Sequence, residues 1–288
     1  MSLDLLVLPT TERINEILHG ISTDISLTKG NMQKVEFIFK DTEVKISHKG
    51  RDLKDFSLVW LSSFWNSRDI GYAIKIYLDH FNVKHTFVEK STSKVTDHIN
   101  FALNNILTPN TFFVNTKDIG EYIERIEDVC GYPLIIKNTK GSKGKYSAYI
   151  KDREELISKF KELPKHKKYI FQEYILNEYD WGVLVANGEV VSAEKSYPKN
   201  GEFRNNASNG AKEVFIDLKD IPDEIKDMAI KATKILGLSW ARSDIIIDKE
   251  TGIPYLLEVN RCPGITSGST EITGARKFLN SYLYSTND

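Results

Sequence analysis

The sequence predicts a mixed α/β and α+β protein in three parts, and three observations carry that reading. The first ninety residues alternate strand, helix and strand. The remainder is rich in antiparallel hairpin signals interleaved with amphipathic helices. With 288 residues, 41% of them hydrophobic, there is enough apolar material for more than one core. The parts are residues 1–95, a small α/β unit; 96–170, a unit built around a glycine-rich loop; and 171–288, a unit that ends in a polar-tipped hairpin. No internal repeat or low-complexity segment interrupts them.

In order along the chain, "DLLVLP" reads as a strand and "KVEFIFKDTEVKIS" as a hairpin turning at Asp41-Thr42. "FSLVWLSS" is a buried strand. "SRDIGYAIKIYLDHF" places Ile70, Ala73, Ile74, Tyr77, Leu78 and Phe81 at helical spacing, and "VKHTFVE" closes the first unit as a strand. "KSTSKVTDH" is a polar connector with helix-capping residues. A short helix then leads to "PNTFFVN", to the helix "TKDIGEYIERIEDV", to two strands within "YPLIIKNTKGSKGKYSAYIKD", and to a helix ending near Leu163. The strand "KYIFQEYI" follows. Next is "WGVLVANGEVVSAEK", two strands turning at Asn187-Gly188, a strong hairpin signal. A strand "EVFIDL", a helix "PDEIKDMAIKATKILG", the hairpin "ARSDIIIDKETGIPYLLEVN" and a helix "GARKFLNSYLY" complete the chain.

Composition narrows the function. A formal charge of −1 leaves no basic footprint for nucleic acid or for an anionic membrane surface. "LDLLVLP" is too short to span a bilayer and lacks the features of a signal peptide. Two cysteines far apart, Cys130 and Cys262, fit a reducing compartment, so a cytoplasmic protein is expected. The scattered histidines offer no zinc motif.

The chemistry concentrates in four stretches. In the last hairpin, a turn centred on Thr251 sets residues whose numbers sum to 502 opposite each other, so Asp244 faces Glu258. Asn260 lies two residues on, on the same face of its strand. Facing carboxylates destabilise a sheet. A hard cation such as Mg²⁺ removes the conflict, and these three residues are the candidate metal ligands. In "LIIKNTKGSKGKYSAYI", Lys137 ends an apolar strand, and Gly141, Ser142, Lys143 and Gly144 form a loop whose backbone can approach phosphate oxygens. It is neither a P-loop nor a dinucleotide fingerprint. In "YIFQEYILNEYDWG" a strand runs into an acidic turn, and "GEFRNN" sets Arg204 among amides that could clamp a phosphate. Taken singly, each of the last three also reads as an ordinary turn or loop.

In this order, the four stretches resemble the ATP-grasp superfamily, and within it the RimK-like carboxylate–amine ligases, from about Thr96 to the C-terminus. The resemblance implies an ATP-grasp fold, two α+β subdomains gripping ATP behind a small α/β domain. It implies that Lys137 meets the nucleotide phosphates and that the loop of Gly141, Ser142, Lys143 and Gly144 closes over them. Gln172, Glu173, Tyr174 and Ile175 then lie beside the adenine, and Asp180 is the acidic residue that follows. Arg204 and Asn206 match an Arg-x-Asn segment, and Asp244, Glu258 and Asn260 match the site for one or two Mg²⁺ ions, with Mn²⁺ as the alternative. Lys137 and Arg204 are the expected catalytic residues.

The implied reaction activates a carboxylate as an acylphosphate and passes it to an amine, on an amino acid, a peptide or a protein tail. The alternative is a catalytically decayed grasp that binds nucleotide as a regulatory or partner protein. A kinase is disfavoured because no H-R-D or D-F-G element is present. No nucleic acid or membrane partner is expected, and an oligomer stays open. Three positions depart from the family pattern. Gly182 stands where an arginine is frequent, and Ser196 and Tyr197, next to Lys195, stand where basic residues are common. His98 is the residue available where a lysine often stands near the start of the grasp.

Overall fold

The structure, a computed structural model, describes residues 2–64, 66–87, 92–141, 146–198 and 211–284. Among these residues no helix is long and apolar enough to cross a membrane.

The N-terminal part holds β1 (Leu3–Leu8), α1 (Ile14–Leu18), β2 (Ile25–Lys29), β3 (Val35–Lys40), β4 (Glu43–His48), β5 (Arg51–Asp52), β6 (Leu58–Leu61), α2 (Arg68–His80) and β7 (Lys84–His85). Strands β2-β1-β6-β7 form a parallel sheet, while β3-β4-β5 form a separate antiparallel one. Side-chain alternation splits the parallel sheet between two cores. Leu6, Leu8, Val59 and Leu61 pack with Ile74, Tyr77 and Leu78 of α2. Leu5, Val7, Leu58 and Trp60 face the other way, onto α1 and the C-terminal helix. The turn of the β3–β4 hairpin falls where the sequence places it, with Asp41 at φ 53°. In α2, Ile74, Tyr77 and Leu78 are buried as their spacing predicts. Ile70 and Phe81 are exposed, because the stripe facing the sheet is narrower and is completed by Arg68 and Gly71.

The middle part contains α3 (Lys94–Leu103), β8 (Thr111–Phe113), α4 (Ile123–Cys130), β9 (Leu134–Asn138), β10 (Ala148–Ile150), α5 (Arg153–Glu162) and β11 (Tyr169–Glu173). Its antiparallel sheet, in the order β10-β9-β11-β8, turns Leu134, Ile136, Tyr169 and Phe171 onto α4 and α5. Ile135, Lys137, Ile170 and Gln172 therefore line the opposite face. The helix read from "TKDIGEYIERIEDV" is shorter than its periodicity suggests. Asp118 diverts the chain by accepting the Gly120 N–H (2.9 Å), and a 3₁₀ turn over Gly120–Tyr122 precedes α4.

The C-terminal part contains β12 (Asp180–Ala186), β13 (Glu189–Tyr197), β14 (Lys212–Phe215), α6 (Asp223–Ile235), β15 (Trp240–Ile247), β16 (Pro254–Asn260) and α7 (Thr270–Tyr284). Its five strands run in the order β14-β13-β12-β15-β16. Asn187 and Gly188 take φ 49° and 80°, the left-handed pair that a tight hairpin turn requires. One face of this sheet presents Trp181, Val183, Val185, Ala241, Ile245, Leu256 and Val259 to α6 and to Phe101 of α3. The other is apolar under α7, where Leu184, Ala186 and Trp240 meet Phe278 and Leu279. Further along, the same face carries Asp180, Gly182, Glu194, Arg242, Asp244, Glu258 and Asn260. A polar row on the face opposite a closed core is what positions the candidate site.

Candidate nucleotide and metal site

The register of β15 against β16 decides which polar groups meet. From the turn outward the pairs are Ile247 with Pro254, Ile246 with Tyr255 and Ile245 with Leu256, so their numbers sum to 501 rather than 502. A bulge between Asp244 and Ile245 then lets β16 gain one residue, Leu257, and the sum becomes 502. Asp244 faces Glu258 and Arg242 faces Asn260, as the sequence predicts, although the bulge rather than a symmetric turn produces the match. The bulge also resolves a conflict in the pattern. Leu256 and Val259 are both fully buried against α6 despite being three apart, and Glu258 is thereby turned to the opposite face.

Asn260 Nδ2 donates to Asp244 Oδ2 (2.9 Å). Burial raises the Asp244 carboxyl above its ordinary pKa, against the pull of Arg242 and Lys94. Glu258 is about one-third exposed and is paired with the Lys94 ammonium. Two carboxylates and an amide form a hard oxygen set that suits Mg²⁺, and a buried carboxylate whose charge is costly provides the reason to bind it. Among the described residues no three His, Cys, Asp or Glu gather as a metal site.

Lys94 is the residue the sequence reading missed. His98, which the sequence offers near the start of the grasp, lies one helical turn further along α3. Its ring lies beside Gln172 Nε2 (3.4 Å), and burial together with the nearby Lys137 and Lys94 pushes its pKa down to about 4, so it is neutral. Lys94 occupies the first turn of α3, where a positive charge opposes the helix dipole. That misplacement is the signal the sequence did offer. Ser93 caps the helix by accepting the Thr96 N–H, while Thr96 Oγ1 accepts the Ser93 N–H (3.0 Å). The start of α3 is then fastened to the end of β16 by Arg261, whose two terminal nitrogens meet the Asp97 carboxylate at 2.7 and 2.8 Å. The Lys94 ammonium is pushed down to about 7, first by burial and then by repulsion from Lys137.

Lys137 projects from β9 across the neighbouring sheet. Its Nζ donates to Gln172 Oε1 (2.6 Å), and Gln172 Nε2 donates to Thr111 Oγ1 (2.9 Å). Burial lowers Lys137 to about 8, opposed by the charges of Asp180 and Asp244. These interactions place Lys94, Lys137, Asp180 and the Asp244–Glu258 pair in one electrostatic neighbourhood. Two desolvated ammonium groups facing a carboxylate pair are matched to a polyanion that arrives with a divalent cation.

The remaining expected contacts divide. The Glu173 N–H donates to Asn110 O (2.9 Å) and the Tyr174 N–H to Pro133 O (3.2 Å), so both are engaged within the fold. The Tyr174 ring meets Tyr149 edge-on at 5.0 Å, and Ile175 is buried. Asp180 Oδ1 accepts from Asn177 Nδ2 (2.7 Å). Gly141 begins the glycine loop with its N–H on Asn138 O (3.2 Å), next to Lys140, whose N–H meets Asn138 Oδ1 (2.8 Å). Ser142, Lys143 and Gly144 of the expected phosphate loop, and Arg204 and Asn206 of the expected clamp, lie outside the described residues.

Gly182 has a structural reason. A Cβ there would stand 2.3 Å from Glu194 Oε1 and 3.3 Å from Arg242 Cδ. The space is filled by a buried network in which Arg242 Nη1 contacts Glu194 Oε1 (3.1 Å) and Nη2 pairs with Glu271 and bonds Gly264 O (3.0 Å). Burial raises Glu194 to about 8. The Arg242 guanidinium lies on the same face of the sheet as Gly182, one strand over and two residues before Asp244.

A model of the RimK-like ATP-grasp domain matches residues 91–281, which is more than half of the chain. The chain belongs to the RimK-like ATP-grasp family. It is 30% identical over 241 residues to a probable alpha-L-glutamate ligase of Klebsiella pneumoniae, an alignment covering 78% of this chain and 75% of that one. It is 26% identical over 278 residues to D-alanine–D-alanine ligase B of Clostridium perfringens, covering 89% and 90%. Among solved structures, the ATP-grasp ligase PsnB complexed with a phosphomimetic variant of the minimal precursor, Mg and ADP superimposes with a TM-score of 0.66. The match covers 97% of each chain at 15% identity, a likeness of fold. This member of the RimK-like family is accordingly an ATP-dependent ligase that forms an amide bond.

Proposed function

We propose that the chain joins a carboxylate of an amino acid, peptide or protein tail to an amine through an acylphosphate, at the face formed by β15, β16 and β9. The observation that carries this reading is the bulge-set pairing of Asp244 with Glu258, flanked by Asn260, beneath the ammonium groups of Lys94 and Lys137. The substrate class follows the names of the relatives, glutamate ligase and D-alanine–D-alanine ligase. The cytosol is the proposed compartment, where ATP is abundant and free thiols such as Cys130 and Cys262 persist.

Asp244, Glu258 and Asn260 would hold one or two Mg²⁺ ions, which when bound would draw negative charge from the β- and γ-phosphates. Mn²⁺ has the same oxygen preference and is the alternative. The protein's own groups account for the rest. Lys137 is positioned by Gln172 to meet phosphate oxygens. The Lys94 ammonium pairs with Glu258 and can share its charge with an incoming phosphate. A substrate carboxylate oxygen attacks the γ-phosphorus, the bond to the β,γ-bridging oxygen breaks, and ADP leaves. The amine then attacks the acyl carbon, phosphate departs with the oxygen that joined it to that carbon, and the amine loses a proton. Arg242 lies on the face where negative charge moves, and its guanidinium stays ionised at any working pH.

Among the described residues, Asp244, Glu258, Asn260, Lys94 and Lys137 stand together, which favours the ligase over the decayed-grasp alternative. The test is ADP release over a panel of carboxylates and amines with MgATP. The expected result is release that requires one member of each class, together with a hydroxamate when hydroxylamine replaces the amine. Nucleotide binding without ADP release for any pair would return the decayed reading.

A further inference from the structure

The β3–β4 hairpin is out of keeping with the rest of the surface. Phe39 is 74% exposed, Ile38 47% and Val44 45%, and all three lie within one strand pair. The hairpin is regular from Val35–His48 to Lys40–Glu43, with no shift of register, and neither strand contains proline. Its order in the sheet is β3-β4-β5, so β3 is an edge whose outer backbone groups pair with no other strand among the described residues. Edges of soluble proteins are usually blunted by charged side chains, a bulge, a proline, a covering element or great shortness. This one has six residues, and among the described residues its own charges, Glu36 and Lys40, are the device it carries.

The order of residues along β3 supplies the occupant. In "VEFIFK" the charges stand symmetrically about Ile38, with Glu36 two residues before it and Lys40 two residues after. An antiparallel strand of identical sequence, centred on the same residue, would face Glu36 with Lys40 at both ends and Ile38 with itself, on the face that now meets solvent. On the opposite face it would set Phe37 beside Phe39. That second match addresses the overhang. Phe37 and Ile46 pack on the core next to α2, but Phe39 and Val44 extend past it on the same side. Within its own hairpin Glu36 faces Ser47 and Lys40 faces Glu43, and among the described residues neither Glu36 nor Lys40 comes within ion-pair distance of an opposite charge. Opposite charges and aromatic pairs directly across strands are the units that stabilise sheet pairing. A two-fold contact requires one surface patch to be complementary to itself.

We propose that β3 pairs antiparallel with β3 of a second copy of this chain, about a two-fold axis at Ile38, to make one six-stranded sheet across a homodimer. Sedimentation velocity over a concentration series tests it. Wild type dimerises. Glu36→Lys and Lys40→Glu each turn two attractive cross-strand pairs into repulsive ones and raise the dimer dissociation constant about tenfold or more. An equimolar mixture of these two variants restores the dimer, because Lys at 36 then meets Glu at 40 and the reverse. Ile38→Cys, on the axis, forms an intermolecular disulfide under mild oxidation, since directly opposed residues lie within disulfide reach. Lys40→Cys does not, because its opposite number is Glu36. A wild type that stays monomeric to its solubility limit overturns the proposal. So does a dimer whose affinity ignores both charge reversals, or one that Lys40→Cys cross-links as readily as Ile38→Cys. The mixing experiment uses two folded variants against each other, so loss of either one's fold cannot imitate the restored dimer.

Discussion

Two hairpins of this molecule break the usual division of residues in opposite ways. The β15–β16 hairpin draws two carboxylates, an amide and an arginine toward the interior, and it needs a bulge to do so. The β3–β4 hairpin is geometrically regular and leaves Phe39, Ile38 and Val44 in water. A buried polar row is costly until something pairs with it, and so is an exposed apolar strand. The first therefore calls for a charged ligand and the second for an apolar partner. The irregular hairpin is held on every side: by α6 beneath, by Lys94 against Glu258, by Arg261 against Asp97, and by Arg242 against Glu194 and Glu271. The regular one is held only at its base. Function resides where the fold constrains a costly arrangement, and association resides where it leaves one unconstrained.

The comparison can be broken at the polar hairpin in order of expected effect. Asp244→Asn or Glu258→Gln removes a ligand charge without changing shape, and turnover should fall by a factor of about 10² or more. Steady-state ADP release, with circular dichroism to confirm the fold, checks this. Wild-type turnover in either variant would remove the metal assignment. Asp97→Ala takes the partner from the buried Arg261, and should cost about 3–5 kcal/mol of stability along with the placement of Lys94. Chemical denaturation measures the first effect and the KM for ATP the second.

Gly182→Ala sharpens the argument about the departed arginine. Its Cβ must displace Glu194 from the Arg242 network, so a loss of about 1–3 kcal/mol is expected. Unchanged stability would mean that the network yields freely.

The smallest effect is a proton count. The Lys137 ammonium is lowered to about 8 by burial, against roughly 10.4 in an unfolded chain. Between those values the unfolded chain binds more protons, so nucleotide-free stability contributed by this group rises with pH across that window and is flat below it. An arriving triphosphate favours the charged lysine, so binding near pH 8 to 9 should take up protons. Calorimetry in buffers of different ionisation enthalpy reads that uptake, and Lys137→Met should reduce it.

Much of this was legible in the sequence because period and turn chemistry are local. Asn187-Gly188 and Asp41-Thr42 mark their turns, and "YLLEVN" places Glu258 and Asn260 on one face. The Asp244–Glu258 pairing was legible only through compensation, since the assumed symmetric turn is off by one and the Leu257 bulge restores the match. Lys94 was not legible by spacing, because 164 residues separate it from Glu258, and the Arg261–Asp97 pair and the packing of Phe101 bring α3 to β16. Its place in a helix first turn, against the dipole, was the available clue. The reason for Gly182 was equally hidden: it lies in side chains from two neighbouring strands, Glu194 and Arg242, and in the reach of Glu271 from α7.

The central claim is that the polar face activates a carboxylate by γ-phosphoryl transfer, and one isotope measurement tests it most directly. With MgATP, an accepted carboxylate labelled with ¹⁸O at both oxygens, and its amine partner, the account predicts ADP as the nucleotide product and one ¹⁸O atom in the released phosphate. The other label stays in the amide. Attack on the γ-phosphorus leaves one carboxylate oxygen attached to phosphorus when the amine displaces it. AMP and pyrophosphate as products, or released phosphate without label, would contradict it.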